Sequence, residues 1–196
     1  GDASANFILS QLTGTGGAAL AFDSNHNVFI YDGSYAYQSA LLSVATDAGD
    51  DAIFVGIGTG QYVGSILIDA GDGDDAIETG HIEGAIAAGA GIFAGAGADV
   101  LRIHDTLASA GIFGNTLFTI DMGSGDDLVE IAGNVFNTRG AAINIIQGGA
   151  GWDAFVWSLR FDIGFATDQT GVDLIGGTPR EIGLANFEQL TLAAET

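Results

Sequence analysis

Carboxylates recur at regular intervals along this chain, each at the end of a glycine-rich turn. The fullest copy runs from Asp69 to Ile77, and the last aspartate of every copy precedes an apolar segment. A repeat of 20 to 50 residues is typical of a solenoid, in which each repeat forms one coil. Asn27, 24 residues before Asp51, marks a further, uncharged copy. The terminal aspartates, separated by steps of 24, 24, 28 and 26 residues, are Asp51, Asp75, Asp99, Asp127 and Asp153.

The composition of these turns indicates a cation bound by oxygen atoms. Glycine tolerates positive φ angles, which lets carbonyl oxygens turn inward, and the aspartate adds a carboxylate. Stacked turns would repeat these ligands about every 4.8 Å, and such an all-oxygen set suits Ca²⁺. We therefore expect several calcium ions as cofactors, in one row along the turns. The candidate ligands are Asp51, Gly71, Gly73, Asp75, Gly95, Gly97, Asp99, Gly123, Gly125, Asp127, Gly149, Gly151 and Asp153, together with Asp69 and Asp121.

The charge of the chain supports this expectation and limits the partners. The net charge is −21, and 12 of the 25 acidic residues lie in or beside the repeated turns. Such a chain repels nucleic acid and anionic membranes, so we expect calcium as a partner and no nucleic acid. Glycine and aspartate also favour turns without any ion, which is the alternative interpretation. The closeness of Asp72, Asp74 and Asp75 favours a cation, because these charges would otherwise repel one another.

Apolar residues around each turn alternate with a period of two, which predicts strands rather than helices. The inward positions after the turns are Phe29, Ile53, Ile77, Leu101, Val129 and Phe155. The inward positions before the turns are Val44, Ile68, Ile92, Ile120 and Ile146. Between the inward positions of the first set, Glu78, Arg102 and Glu130 point outward and should form a ladder of alternating charge.

These patterns predict an all-β parallel β-solenoid of about six coils, with one Gly/Asp turn per coil and capped ends. Residues 1–17 form a lead-in strand or cap, residues 18–160 form the repeats, and residues 161–196 form a degenerate coil and cap. Extra residues in the longer coils, at 106–114 and 134–138, are expected as surface loops or short third strands. Glu181, 28 residues after Asp153, should occupy the last aspartate position, and residues 184–192 should form a final strand.

The segment from Ala70 to Glu78 resembles the nonapeptide Gly-Gly-x-Gly-x-Asp-x-apolar-x of the repeats-in-toxin, or hemolysin-type calcium-binding, proteins. Residues 123–129 and 148–155 resemble it as well, and residues 171–174 and 186–191 look like segments that follow such repeats. The resemblance implies an extracellular bacterial protein, type I secretion and calcium-dependent folding. The chain departs from the family because it has one turn per coil instead of tandem nonapeptides, which implies a single row of ions.

The function expected from these features is structural. A solenoid has open ends, so head-to-tail association could build a fibre, a surface layer or a matrix, alone or with other cell-surface material. A spacer or adhesin module of a larger secreted protein is the alternative. Parallel β-helices also include polysaccharide lyases and epimerases, but a uronate site needs basic residues, and this chain has four Arg and no Lys. We expect no enzymatic activity, no catalytic residues and no membrane insertion.

Overall fold

The computed structural model describes residues 5–9, 18–21, 26–31, 42–58, 62–63, 66–83, 89–104, 112–114, 119–132, 135–137, 144–159, 182–185 and 187–194. All regular elements within these residues are strands, and the paired strands are parallel. The protein is therefore an all-β parallel β-solenoid, as its repeat predicted.

Three sheets run along the solenoid. The first sheet contains the strands that follow the turns, in the spatial order β1 (Ala5–Leu9), β3 (Asn27–Tyr31), β5 (Ala52–Val55), β8 (Ala76–Thr79), β11 (Val100–Ile103), β14 (Leu128–Ala132), β17 (Ala154–Leu159) and β19 (Gln189–Ala194). The second sheet contains the strands that precede the turns, in the order β2 (Ala18–Ala21), β4 (Leu42–Ala45), β7 (Ile66–Asp72), β10 (Gly91–Ala96), β13 (Thr119–Ser124), β16 (Asn144–Gln147) and β18 (Ile182–Ala185). The third sheet contains β6 (Tyr62–Val63), β9 (His81–Glu83), β12 (Ile112–Gly114) and β15 (Val135–Asn137).

The pairing register follows the spacing of the aspartates. Val28 pairs with Ala52, which pairs with Ala76, which pairs with Val100, so a uniform step of 24 residues holds over these coils. Regular coils therefore extend over about three turns rather than the six expected from the sequence. Irregular coils continue the sheets on either side, where the next pairing, from Val100 to Leu128, spans 28 residues.

The third sheet is more extensive than the sequence suggested. Short third strands were expected only as one option for the longer coils, and β12 and β15 lie there. The 24-residue coils contribute β6 and β9 to the same sheet. A two-strand description of the coil is thus incomplete, because the link between the main strands also pairs with its neighbours.

The core is a column of apolar side chains between the first two sheets. The predicted inward positions are almost fully buried, with exposures from 0% at Ile53 and Ile68 to 1% at Ile146 and Phe155. Burial of such a side chain contributes roughly 1.5–3 kcal/mol, and here each side chain is covered by the coils above and below. Stability therefore arises between coils rather than within one.

The outward ladder of charges on the first sheet is confirmed. Arg102 pairs in register with Glu78 on one side and Glu130 on the other. Its Nε lies 2.5 Å from Oε2 of Glu130, and Nη1 lies 4.0 Å from Oε1 of Glu78. His104 adds a contact of 2.9 Å from Nε2 to Oε2 of Glu78. Because these side chains are partly exposed, the ladder marks the register more than it stabilises the fold.

The C-terminal end differs from the sequence prediction. Ala154 pairs with Gln189, so Glu188, and not Glu181, aligns with Asp153. Glu181 lies outside the described residues. The predicted single final strand is replaced by two, β18 in the second sheet and β19 in the first. The cause is a shortened connection, since residues 186–188 span the gap that residues 148–153 span one coil earlier.

Candidate functional site

Two glycines in each stacked turn have a backbone conformation that other residues rarely adopt. All eight glycines of the predicted ligand set have positive φ, from 95° at Gly123 to 149° at Gly97 and Gly151. A Cβ atom on Gly95 would collide with the carbonyl oxygen of Gly71 in the preceding coil. The turns therefore stack with backbone against backbone, and glycine is required for this contact.

The aspartates that end these turns form a continuous inner column. Oδ1 of each one accepts a hydrogen bond from the backbone N–H of the equivalent residue in the preceding coil. The N–O distances are 2.5 Å from Asn27 to Asp51, 2.7 Å from Asp51 to Asp75, 2.8 Å from Asp75 to Asp99, 2.8 Å from Asp99 to Asp127 and 3.0 Å from Asp127 to Asp153. The five aspartates predicted at the ends of the turns are thus brought into one row.

The second carboxylate oxygen of each inner aspartate is buried and has no hydrogen-bond partner. These atoms are Oδ2 of Asp51, Asp75, Asp99, Asp127 and Asp153. The residues themselves are at most 2% exposed. An unsatisfied buried polar atom costs about 1–3 kcal/mol, and more when it is charged. A proton or a cation at each Oδ2 would remove this cost.

Burial changes the acidity of the inner column. The pKa of Asp75 rises from 3.8 to about 7, that of Asp99 to about 6 and that of Asp127 to about 7, chiefly because burial disfavours the charged carboxylate. The backbone hydrogen bond lowers each pKa, and nearby carboxylates raise it again. Near neutral pH the column therefore competes for protons unless a cation compensates its charge.

A second ladder follows the exposed side of the same turns and runs in the opposite direction. Asp74 adjoins Asp75 in sequence, yet its Oδ1 accepts the N–H of Ala98 in the following coil at 2.8 Å. Equivalent bonds run from Asp74 to Asp50 at 3.0 Å and from Trp152 to Asp126 at 2.9 Å. Each turn is consequently bound to the coil on one side through its inner aspartate and to the other through its outer one.

Asp69 and Asp121, which were also predicted as ligands, lie outside the inner column. Both occupy outward positions of the second sheet, on either side of Phe93 in the pairing register. Asp69 stands between buried Ile68 and Ala70, so the alternation of the strand turns its side chain to solvent. The structure does not bring these two carboxylates together with the buried ones.

Sequence reasoning missed the outer ladder and the final member of the inner column. Asp50 enters the sequence argument only through its charge, although Asp-Asp pairs end three of the turns. His26 occupies the same outer position one coil earlier, where its Nδ1 accepts the N–H of Asp50 at 2.8 Å. Its place directly before Asn27 was the available signal. Glu188 was missed because the shortened connection shifts the register.

The inner column fits calcium only if backbone oxygens complete the site. Within the described ranges, no group of three or more His, Asp or Glu side chains could hold a metal. Two carboxylate oxygens from adjacent coils would therefore need carbonyl oxygens from the turns. The carbonyl of Gly73 lies directly against the Gly97 turn, as does that of Gly97 against Gly125. Because Ca²⁺ accepts six to eight oxygens, including backbone carbonyls, the residues present meet its chemical requirement.

Comparisons with known proteins identified no relative. No protein-family model, no curated protein and no solved structure matches the chain. In the part of the chain that the structure describes, no helix has the length and apolar character needed to cross a membrane. Function must therefore be inferred from the residues themselves.

Proposed function

We propose that this protein is a calcium-stabilised structural β-solenoid of the repeats-in-toxin kind, secreted or displayed at the bacterial cell surface. The observation that carries the proposal is the row of five buried aspartates whose Oδ2 atoms lack partners. The glycine turns beside them supply closely stacked backbone oxygens. Both features become favourable at once when divalent cations lie between the coils.

The ligand chemistry favours calcium over other cations. Zinc prefers nitrogen and sulfur ligands, whereas this column offers oxygen and the chain has no cysteine. Magnesium keeps several water molecules in a tight octahedron, which suits a closed site poorly. A proton alone would satisfy one carboxylate at a time and would leave the exposed turn acids uncompensated. Calcium accommodates both the irregular geometry and the high negative charge.

Calcium binding in this arrangement would be coupled to folding. Each proposed ion contacts two coils, so a single coil contains no complete site. The binding free energy then appears as folding free energy, as in other proteins whose metal sites exist only in the native state. Millimolar calcium outside cells matches the weak affinities found in extracellular calcium modules. This supports a protein that folds after secretion, including secretion by a type I system.

A structural role is favoured over catalysis because the unusual carboxylates are closed to solvent. Asp75, Asp99 and Asp127 are 2%, 0% and 2% exposed. A polysaccharide or other large substrate could not reach these oxygens without separation of the coils. Lyase or epimerase activity on uronate polysaccharides is therefore the least favoured option, and detection of such activity would contradict a purely structural role.

Two modes of use follow from the ends of the first sheet. Strands β1 and β19 are its terminal strands within the described residues, and an edge of parallel backbone groups can pair with another copy. This feature supports head-to-tail assembly into a fibre, a surface layer or a matrix. However, Phe187 packs against Phe155 with ring centroids 5.4 Å apart, which gives the C-terminal end a cap. The cap favours a spacer or adhesin module of a larger protein.

A calcium titration tests the central proposal. The number of bound ions and the thermal midpoint would be measured with Ca²⁺, with Mg²⁺ and with chelator. We expect a large rise in the midpoint with Ca²⁺ only, since a site at 100 times its Kd contributes about 2.7 kcal/mol. Asp75→Asn should lower the ion count, whereas Asp74→Asn, a neighbouring change on the exposed ladder, should not. Equal melting with and without Ca²⁺ would refute the proposal.

The mode of assembly is tested by molar mass in solution. Light scattering after size-exclusion chromatography would be recorded with Ca²⁺ and after chelation. A calcium-loaded monomer that unfolds in chelator is expected for a spacer module. Long assemblies that dissociate in chelator would instead support a fibre or matrix subunit.

A further inference from the structure

The inner column ends at a residue from the C-terminal tail. Oε2 of Glu188 accepts the backbone N–H of Asp153 at 2.8 Å, which is the bond that every inner aspartate accepts from the coil before it. The strand that follows Glu188 pairs in register with the strand that follows Asp153. Glu188 is therefore the structural equivalent of the column aspartates, although no glycine turn precedes it.

The use of glutamate is explained by the short connection to this strand. Residues 186–188 replace the six residues 148–153 of the preceding coil, so the chain crosses the turn region by a shorter path. The additional methylene group of glutamate lets the carboxylate reach the Asp153 N–H from that path. Phe187, packed against Phe155, holds the segment in place.

The backbone of Glu188 also ends the ladder. In earlier coils, the N–H of the inner residue donates to a carboxylate of the next coil. The N–H of Glu188 instead turns back and donates to the carbonyl oxygen of Asp153 at 3.0 Å, and the N–H of Gln189 donates to the same oxygen at 3.0 Å. The carboxylate of Glu188 thus needs no further coil to be held in position.

The last gap of the column has the same unmet demand as the interior gaps. Asp153 is fully buried, its Oδ1 accepts the N–H of Asp127, and its Oδ2 has no partner. Glu188 adds a second acid beside it, and the turn with Gly149 and Gly151 stacks directly below. This gap therefore combines an unpartnered buried oxygen with a positioned carboxylate.

We propose that Glu188 is the terminal calcium ligand of the row and closes an ion site with Asp153. The inference rests on the proposed calcium function and extends it to a residue outside the glycine-aspartate repeats. Its consequence is that docking of the C-terminal strand β19 depends on calcium. The tail acts as a cap that is fastened by the last ion.

The test compares Glu188→Gln with Glu130→Gln in the full chain. The glutamine amide of the first variant keeps an oxygen that can accept the Asp153 N–H, so this variant retains the fold while it loses the charge. Glu130→Gln removes an equal charge from the outward ladder and serves as the control. Bound calcium would be counted by equilibrium dialysis. Terbium luminescence excited through Trp152, which directly precedes Asp153, would report on the last site.

We expect Glu188→Gln to bind one ion fewer per chain, to lose much of the terbium signal and to lose calcium-dependent protection of residues 187–194 against proteolysis. Glu130→Gln should match the unmodified protein in all three measurements. An unchanged ion count and unchanged protection in Glu188→Gln would overturn the role of Glu188, provided that Asp75→Asn lowers the count. If the unmodified chain binds no calcium, the proposed function itself fails and the role of Glu188 with it.

Discussion

The carboxylate of Asp99 accepts the backbone N–H of Asp75, 24 residues earlier in the chain, at 2.8 Å. One residue away, the direction reverses, because the N–H of Ala98 donates to Asp74. Two antiparallel ladders of side-chain acceptors therefore bind every turn to both of its neighbours. The buried ladder carries the unpartnered oxygens, whereas the exposed ladder has access to water. This difference between adjacent aspartates is the basis of the first prediction.

Replacement of the inner Asp127 should destabilise the protein more than replacement of the outer Asp126. With Ca²⁺ present, Asp127→Ala leaves the buried N–H of Asp99 without its acceptor, at a cost of about 1–3 kcal/mol before any loss of calcium binding. Asp126→Ala removes a bond to the exposed N–H of Trp152, which water can replace, so its cost should stay below about 1 kcal/mol. Urea unfolding of both variants measures the difference, and equal midpoints would contradict the assignment of inner and outer roles.

Without calcium, stability should decrease as the pH rises from about 4 to about 7. The pKa values of Asp75, Asp99 and Asp127 are raised from 3.8 to about 7, about 6 and about 7, so the native chain binds more protons than the unfolded chain in this window. The resulting stabilisation is fully present below the unfolded pKa and is lost as the pH passes the folded pKa. Urea midpoints at several pH values in chelator measure it.

The same titration with saturating Ca²⁺ is the control for the pH prediction. Calcium binds the ionised carboxylates, so it should flatten or reverse the decline between pH 4 and 7. The double variant Asp75→Asn, Asp127→Asn should also have a shallower decline in chelator. An unchanged slope in that variant would mean that the general negative charge, rather than the buried column, produces the pH dependence.

Asp127→Asn should change the sign of its effect with calcium. In chelator at pH 8 the substitution removes a buried charge, keeps an acceptor for the Asp99 N–H and adds an amide donor for a neighbouring carboxylate, so the thermal midpoint should rise. With Ca²⁺ the same substitution removes a ligand, so the midpoint should fall below that of the unmodified protein. Asp126→Asn should shift little in either condition. Stabilisation by Asp127→Asn in both conditions would identify the column as a hydrogen-bond ladder without an ion.

The main strands and the inner column could be predicted from sequence because one physical constraint repeats. Parallel stacking places equivalent residues in register, so Ile53 and Ile77 share a buried row and Glu78 and Arg102 share an exposed one. A period of two then separates inward from outward positions. These signals are local and recur often enough to be read without knowledge of the three-dimensional contacts.

The features that sequence reasoning missed depend on contacts that do not repeat. The shift from Glu181 to Glu188 follows from a single shortened connection, which no period could reveal. The outward orientation of Asp69 was available from the alternation of β7, but its closeness to the glycine turn favoured a ligand role instead. The third strands β6 and β9 are two or three residues long, too short to give a pattern of their own.

Gly95→Ala should disrupt the stack, whereas Gly89→Ala should be tolerated. Both glycines have positive φ, 116° and 87°, so alanine at either position incurs strain of about 1–2 kcal/mol. At Gly95 the added Cβ would also meet the carbonyl of Gly71, while at Gly89 it would meet no atom within 4 Å. The coils around Gly95 would have to separate, which exposes core residues and opens the proposed ion gap. We therefore expect Gly95→Ala to lose more than about 3 kcal/mol of stability. Thermal unfolding and calcium counts measured in parallel decide the matter, and similar losses in both variants would show that backbone strain alone, and not the close stacking of the turns, makes glycine necessary.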